Sequence, residues 1–236
     1  MVDFNCDVGE GIANEHLLMP HITSCNIACG GHFGDENSID ETIQCALKNN
    51  VLIGAHPSFS DKENFGRKWI QITNENLSES IQYQMDLFME RMFLNKATLH
   101  HIKPHGALYN AIAKDKNIAK IFVNSILKYS RNSFLYVPYK SEIEKVAIKN
   151  NIKIIYEAFA DRNYNDDLTL VNRTYSNATI TDKKKVFQHV SKIVFEGKVK
   201  TISGIQKEIK AATFCVHSDT ENAVEIIKYL SKKFKE

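Results

Sequence analysis

The segment Ile102-Lys103-Pro104-His105-Gly106-Ala107-Leu108-Tyr109-Asn110 follows directly on His100 and His101. Read as a strand from Thr98 to Ile102, it alternates faces, so His101, Lys103 and His105 point one way and His100 and Ile102 the other. Two imidazoles flanking an ammonium on one face make a poor apolar core. Pro104 has no N–H for a ladder, so regular pairing is expected to lapse there. Gly106 allows the backbone to turn or to approach a ligand closely, and Asn110 to Ala113 reads as the opening of a helix. Similar groups recur along the chain: Asn5, Asp7 and Glu10; Asn26, His32 and Asp35; His56; Glu157, Asp161 and Arg162; His217 and Asp219. Carboxylates beside imidazoles serve proton transfer, because neighbours move their pKa values towards neutrality. Lys103 could stabilise negative charge developing on a carbonyl or phosphoryl oxygen. Asp7, His32, His56 and His105 could instead hold a divalent metal that activates water. Either arrangement suits hydrolysis of an amide-like or ester-like bond. No Ser or Cys sits in a nucleophile elbow, and neither Gly9-Glu10-Gly11 nor Gly30-Gly31 has phosphate-loop or dinucleotide spacing.

Each residue also has a bland explanation. Asp7 could cap a turn, Glu10 could be a solvated loop carboxylate, and His56 before Pro57 could be a structural histidine. His100 is expected beneath a helix, and His16, His21 and His189 on surface or helix faces.

Positioning these groups requires strands that end together. Seven short β-like runs are legible: Val2–Asp7, Ser24–Ala28, Val51–His56, Leu99–Lys103, Phe134–Val137, Ile152–Ala158 and Ala212–His217. Between them apolar residues recur with helical period: Ile39 to Leu47 after a cap at Asp35 or Ser38, Leu77 to Met92 from near Asn74, Ile118 to Leu127, Ile143 to Ala147, Val186 to Val194 up to Gly197, and Val224 to Leu230. Strand–helix alternation implies parallel strands with helical crossovers. Both faces of an open sheet of that kind should be apolar. Here one face is repeatedly polar: Asp3, Asn5 and Asp7 alternate with Val2, Phe4, Cys6 and Val8. The polar face fits the inside of a barrel, with its site where the strands end. The expected fold is a single α/β domain over residues 1–236, a (β/α) barrel of seven strands, imperfectly closed. Two connections, Pro57 to Thr73 and Asp161 to Thr181, exceed what a strand-to-helix join needs and read as lids or binding loops.

Composition narrows the function further. The 236 residues are 43% hydrophobic and 25% charged with a formal charge of +2, and only five of the 30 basic residues are Arg, which argues against a nucleic-acid partner. The Lys183–Lys185 run is expected at the solvated start of a helix. No apolar run is long enough for a membrane span, and the start is no signal peptide. Five cysteines without framework spacing suit the cytoplasm, and the Cys25/Cys29 pair reads as buried thiols rather than a zinc site.

At these residues the sequence resembles the LamB/YcsF lactam-utilisation family of 5-oxoprolinase A subunits. The matching blocks are Asn5-Cys6-Asp7-Val8-Gly9-Glu10-Gly11, Asn26-Ile27-Ala28-Cys29-Gly30 with His32, Gly34 and Asp35, and Gly54-Ala55-His56-Pro57-Ser58. They continue with Phe65-Gly66-Arg67, Lys103 to Asn110, Glu157-Ala158-Phe159-Ala160-Asp161-Arg162 and Cys215-Val216-His217. The resemblance implies ATP-dependent opening of 5-oxoproline to L-glutamate, in complex with partner subunits B and C, on a barrel related to the glycoside hydrolase and polysaccharide-deacetylase group. ATP, with its Mg²⁺, is the expected cosubstrate, and no organic prosthetic group is expected. Asp7, Glu10, His56, Lys103 and His105 become the catalytic candidates. Asn5, Asn26, His32, Asp35, Arg67, Tyr109, Glu157, Asp161, Arg162 and His217 become the substrate-binding candidates. The sequence departs from the family at Gly31, Asn64, Asn172 and Ser218, all on the expected pocket rim. Two alternatives remain beside this reading: a metal-dependent deacetylase, although paired histidines four residues apart are absent, and a non-catalytic lactam- or carbohydrate-binding subunit.

Overall fold

The computed structural model describes residues 2–235. Six parallel strands follow one another around a barrel: β1 (Asp3–Val8), β2 (Ser24–Ala28), β3 (Leu52–His56), β4 (Leu99–Ile102), β5 (Phe134–Pro138) and β6 (Ile154–Phe159). An antiparallel hairpin of β7 (Lys198–Lys200) and β8 (Gln206–Glu208) comes next in the chain. The last strand, β9 (Thr213–Cys215), pairs with both β6 and β1 and closes the ring. All seven expected runs are therefore barrel strands, with ends shifted by a residue or two. The thinnest seam is β4–β5, where only His101↔Phe134 and Ile102↔Leu135 are in register. The hairpin has no counterpart among the expected strands. Its strands are short and charged, with only Val199 buried, so they carry no alternation to read.

The helices are α1 (Glu15–Leu18), α2 (Glu36–Lys48), α3 (Asn74–Leu94), α4 (Gly106–Lys114), α5 (Lys116–Ile126), α6 (Glu142–Lys149), α7 (Lys183–Glu196) and α8 (Ala223–Lys233). Their ends follow local chemistry. Asp35 caps α2 by accepting from Ser38 N–H at 2.9 Å, while the Ser38 hydroxyl accepts from the Asp35 N–H. Gly197 ends α7 at φ +63°, and Lys183–Lys185 form the first turn of that helix, as expected. The helix after Pro104 begins at Gly106, four residues before the expected Asn110. Gly106 has φ +53°, and a Cβ there would lie 2.7 Å from the Gly66 carbonyl oxygen, so only glycine lets the loop before α3 touch this turn. Pairing also steps across Pro104: Lys103 N–H donates to Ala55 O and His105 N–H to Pro57 O. Among the described residues, no helix is long and apolar enough to cross a membrane.

Outward-facing strand residues such as Phe4, Ile27, Ala55, Ile102 and Val137 are buried beneath the helices in one apolar core. The inward face is polar and hydrogen-bonded. Asn26 Nδ2 donates to Asn5 Oδ1 and Asp7 Oδ1, and Asn5 Nδ2 donates to Glu157 Oε1 and Thr213 Oγ1. His101 Nε2 donates to Asn26 Oδ1 at 2.6 Å while its ring stacks on Tyr136 at 3.9 Å. A buried network of this kind is stable only when each member finds a partner. His100, expected beneath a helix, is instead half-buried with its ring tilted against Phe134.

Two constraints fix the ring. Gly54 gives His101 room to cross the interior, since a Cβ there would lie 2.2 Å from His101 Nε2. Asp161, just past β6, ties that strand end to the end of β9: it accepts from the His217 N–H at 3.0 Å, from His217 Nδ1 at 3.0 Å and from Thr220 Oγ1 at 2.5 Å. Burial alone would raise the Asp161 carboxyl, but the His217 charge and these hydrogen bonds bring it down to about 2. Gly54→Ala is expected to destabilise the fold by about 1–3 kcal/mol in urea unfolding, through overpacking against His101. Asp161, with a folded pKa of about 2 against 3.8 for the free side chain, binds its proton less readily when folded. It therefore contributes about 2 kcal/mol above pH 4, which disappears as pH falls through about 2. Asp161→Asn should flatten that part of the stability-versus-pH curve.

Candidate active site at the barrel mouth

The carboxyl ends of the strands open into a cleft of about 870 Å³. Asp7, His56, Lys103, His105, Tyr109, Arg67, Arg162 and His217 line it. Glu10, His32, Asn5, Asn26 and Asp161 are buried immediately behind or below them. Glu157 faces a smaller adjoining recess together with Tyr109 and Phe159. Asp35 is not part of this gathering: it is exposed and occupied in capping α2. The sequence signal that named it, an acid shortly after a strand, is shared by helix caps.

Lys103 is the centre of the floor. Its Nζ lies 2.9 Å from Asp7 Oδ1, 3.0 Å from Glu157 Oε1 and 3.1 Å from Cys215 Sγ, and the side chain is buried. Burial opposes the ammonium charge, but Asp7 and Glu157 more than reverse this and hold Lys103 well above the usual lysine range. Asp7 shows the converse: burial would raise it, and His56 and Lys103 hold it well below the usual carboxylate range. The two form an ion pair at ordinary pH, anchored by Asn5 and Asn26 from below. Asn5, Asn26 and Asp161 spend their polar atoms on protein partners, so the geometry makes them supports of the site rather than substrate contacts.

Above the floor sits a cluster of imidazoles. His56 Nδ1 donates to the Lys103 carbonyl at 2.6 Å, and His105 Nε2 donates to the Phe65 carbonyl at 2.9 Å. His32 Nε2 donates to Glu10 Oε1 at 2.9 Å and its ring stacks on His105 at 3.7 Å. Burial lowers His32 to about 3, helped by the neighbouring His105, and burial likewise lowers His105, so both rings are neutral near pH 7. Glu10 is pulled the other way. Burial disfavours its charge, but the neighbouring His105 and the hydrogen bond from His32 hold its carboxyl far below the usual range.

The rim is cationic. Arg67, Lys68, Lys114, Arg162 and Arg173 line the cleft, where Asp7 is the single carboxylate among the described residues. Arg67 bonds Asp219 at 2.6 Å and Arg173 approaches the same carboxylate at 3.3 Å. Arg162 is buried and braces its own loop, donating to the carbonyls of Ala178 and Val171. Burial and the nearby Arg173 bring it down to about 10, still charged at neutral pH. Residues 161–181, flagged by length alone, form one wall of the cleft through Asn165, Leu170, Asn172 and Tyr175. The second long connection, residues 57–73, supplies Asn64, Arg67 and the Phe65 carbonyl. Sequence reasoning did not name Arg173, Cys215 or that carbonyl as site groups. The length of the first loop and the Phe65-Gly66-Arg67 and Cys215-Val216-His217 blocks pointed near them. Cys25 and Cys29 are buried free thiols, and burial raises both above the usual thiol range.

The sequence and the fold are both shared with known proteins. The chain is 38% identical over 240 residues to a protein of Pyrococcus abyssi named as the A subunit of 5-oxoprolinase, covering 100% of this chain and 94% of that one. A protein of the same name from Alkaliphilus metalliredigens is 38% identical over 231 residues, covering 96% and 90%. The crystal structure of a lactam utilization protein from Thermus thermophilus superposes with a TM-score of 0.90 at 29% identity, over 99% of this chain and 96% of that one. A GH113 β-1,4-mannanase shares the fold alone, with a TM-score of 0.55 at 10% identity and 98% of each chain covered. The LamB/YcsF family model matches residues 2–236, and the chain belongs to that family.

Proposed function

We propose that this chain is the lactam-opening component of an ATP-dependent 5-oxoprolinase, converting 5-oxoproline to L-glutamate in the cytoplasm together with partner subunits B and C. The names carried by its relatives support the lactam. The observation that carries the chemistry is the juxtaposition at the cleft floor of Asp7, paired to Lys103, with the His56–His105–Glu10 cluster, beneath a rim of arginines and lysines. A five-membered lactam keeps its amide resonance, so water opens it with little driving force. Transfer of the ATP γ-phosphoryl group, with Mg²⁺, to the lactam oxygen gives an activated electrophile. Water then adds to that carbon, the C–N bond breaks as the ring nitrogen takes a proton, and a second water hydrolyses the resulting acyl phosphate to the side-chain carboxylate and inorganic phosphate.

The geometry distributes the work. His56 and Asp7 face the cleft and position the attacking water, and Glu10 behind them takes its proton. Lys103 holds Asp7 ionised and adds positive potential beneath the reacting carbon. Arg67 and Arg173 meet the negative charge of the substrate carboxylate and of the phosphoryl group, an arrangement guanidinium favours over ammonium. A metal-dependent deacetylase remains the second reading, favoured by the triangle of Asp7, His56 and His105.

Reconstitution with the partner subunits and assay of 5-oxoproline-dependent ATP hydrolysis and glutamate formation tests the proposal. Asp7→Asn, which keeps the shape, and Lys103→Ala should each lower turnover by about 100-fold or more. Lys103→Ala should also destabilise the chain by about 3–5 kcal/mol, because two buried carboxylates lose their counter-ion. Glutamate formation at the wild-type rate in both variants would exclude this floor from the reaction and favour a protein that only presents ligand. Arg173→Gln is expected to raise KM for 5-oxoproline about tenfold with a smaller change in kcat, since it weakens binding of a charge present before and during reaction.

A further inference from the structure

The imidazole cluster contains a contradiction that two neutral rings do not resolve. A carbonyl oxygen can only accept, so His56 Nδ1 must carry the hydrogen it gives to Lys103 O, and His105 Nε2 the hydrogen it gives to Phe65 O. On neutral rings the other two nitrogens, His56 Nε2 and His105 Nδ1, are then bare lone pairs. They face each other at 3.0 Å. Oxygens join them: Asp7 Oδ2 lies 3.5 Å from His56 Nε2, and Glu10 Oε1 lies 3.2 Å from His105 Nδ1 and 3.9 Å from His56 Nε2. Four electron-rich atoms converge, and something positive must lie among them.

We infer that Asp7, His56 and His105 bind a first-row divalent cation, with Glu10 beside the remaining coordination position. Metal bonds of about 2.0–2.2 Å place neighbouring ligand atoms about 3–3.5 Å apart, and His56 Nε2 lies 3.0 Å from His105 Nδ1 and 3.5 Å from Asp7 Oδ2. The Asp7, His56 and His105 donors all lie within 4.8 Å of one another. Each histidine has its far nitrogen fixed by a backbone carbonyl, the outer-shell arrangement that orients metal-binding imidazoles and sets their tautomer. The stack of His32 on His105 and the bond from His32 to Glu10 hold two of the groups in place before any ion arrives. Charge points the same way. Asp7, Glu10 and Glu157 are buried around one buried ammonium, Lys103, and a dication would neutralise the remainder. Two nitrogens and a carboxylate oxygen suit Zn²⁺, Co²⁺ or Mn²⁺ rather than a hard ion held by oxygens alone. Such an ion would lower the pKa of a bound water towards neutrality at a point open to the cleft.

The rival resolution is a proton: one ring becomes an imidazolium and donates to the other. Titration of the chelator-stripped full-length chain separates the two. Isothermal titration with Zn²⁺ should show a single equivalent bound at micromolar or tighter Kd, and Co²⁺ should develop a visible d–d absorption band. Asp7→Asn and His105→Ala should each weaken binding by about 100-fold or more, beyond the loss typical of outer-shell changes, while Asp219→Asn on the rim keeps it. Melting curves verify that the variants are folded, and the wild-type titration stands even if they are not. Absence of uptake by the wild-type chain, with NMR showing a protonated His56–His105 pair, overturns the inference. So does Zn²⁺ binding that survives both ligand substitutions. No lactam, ATP or partner protein enters these measurements, so failure here leaves the proposed reaction standing, and failure of that reaction leaves the ion site standing.

Discussion

The rest of this structure depends on the burial of one ammonium. Lys103 Nζ is cut off from water and held between Asp7 on β1 and Glu157 on β6, the two strands that flank β9. An unpaired charge at that depth is prohibitive, and a paired one is tolerable only when its partners are themselves fixed. This explains the layer beneath. Asn5 and Asn26 hand hydrogen bonds from β1 and β2 to Asp7 and Glu157, and His101 on β4 completes the chain of donors. The interior is polar because the mouth is charged, and each layer orients the one above it.

The barrel supplies what this network needs. Parallel strands bring residues distant in sequence to one height: Asp7↔Asn26 and Asn5↔Cys215 are register partners, as are Glu157↔Thr213. Strand ends then turn outward into loops of unequal length. The short turn from β4 to α4 gives the rigid His105, and His56 sits at the end of β3 itself. The long ones, residues 57–73 and 161–181, give a rim of arginines and a wall around the cleft. Chemistry at a rigid floor and recognition on longer loops is the usual division of labour in barrels of this kind.

The same floor accommodates more than one charge state. Asp7, Glu10 and His105 are each pushed by burial one way and by neighbours the other. Their ionisation is collective, so the proton or cation at their centre belongs to the group and not to one residue. A site that shares charge in this way can pass a proton between water and substrate with little rearrangement, which suits the proposed opening of a stable amide.

Alternation within β1 was enough to send Asn5 and Asp7 inward and Phe4, Cys6 and Val8 outward, and helical periods between the strands gave crossovers and hence a parallel barrel. These are local properties, set by the two-residue and 3.6-residue repeats of the backbone, so they are written in the letters. The placement of Asp161, Asn5 and Asn26 behind the site rather than in it, the capping role of Asp35, the Arg67–Asp219–Arg173 cluster and the β7–β8 hairpin were not legible. Each depends on which distant atom a polar group meets, and no repeat encodes that. The sequence by itself determined which strand side chains face the barrel interior. Only the tertiary structure decided which nitrogen of His56 and of His105 carries a hydrogen, because the carbonyls of Lys103 and Phe65 that settle it arrive from other parts of the chain.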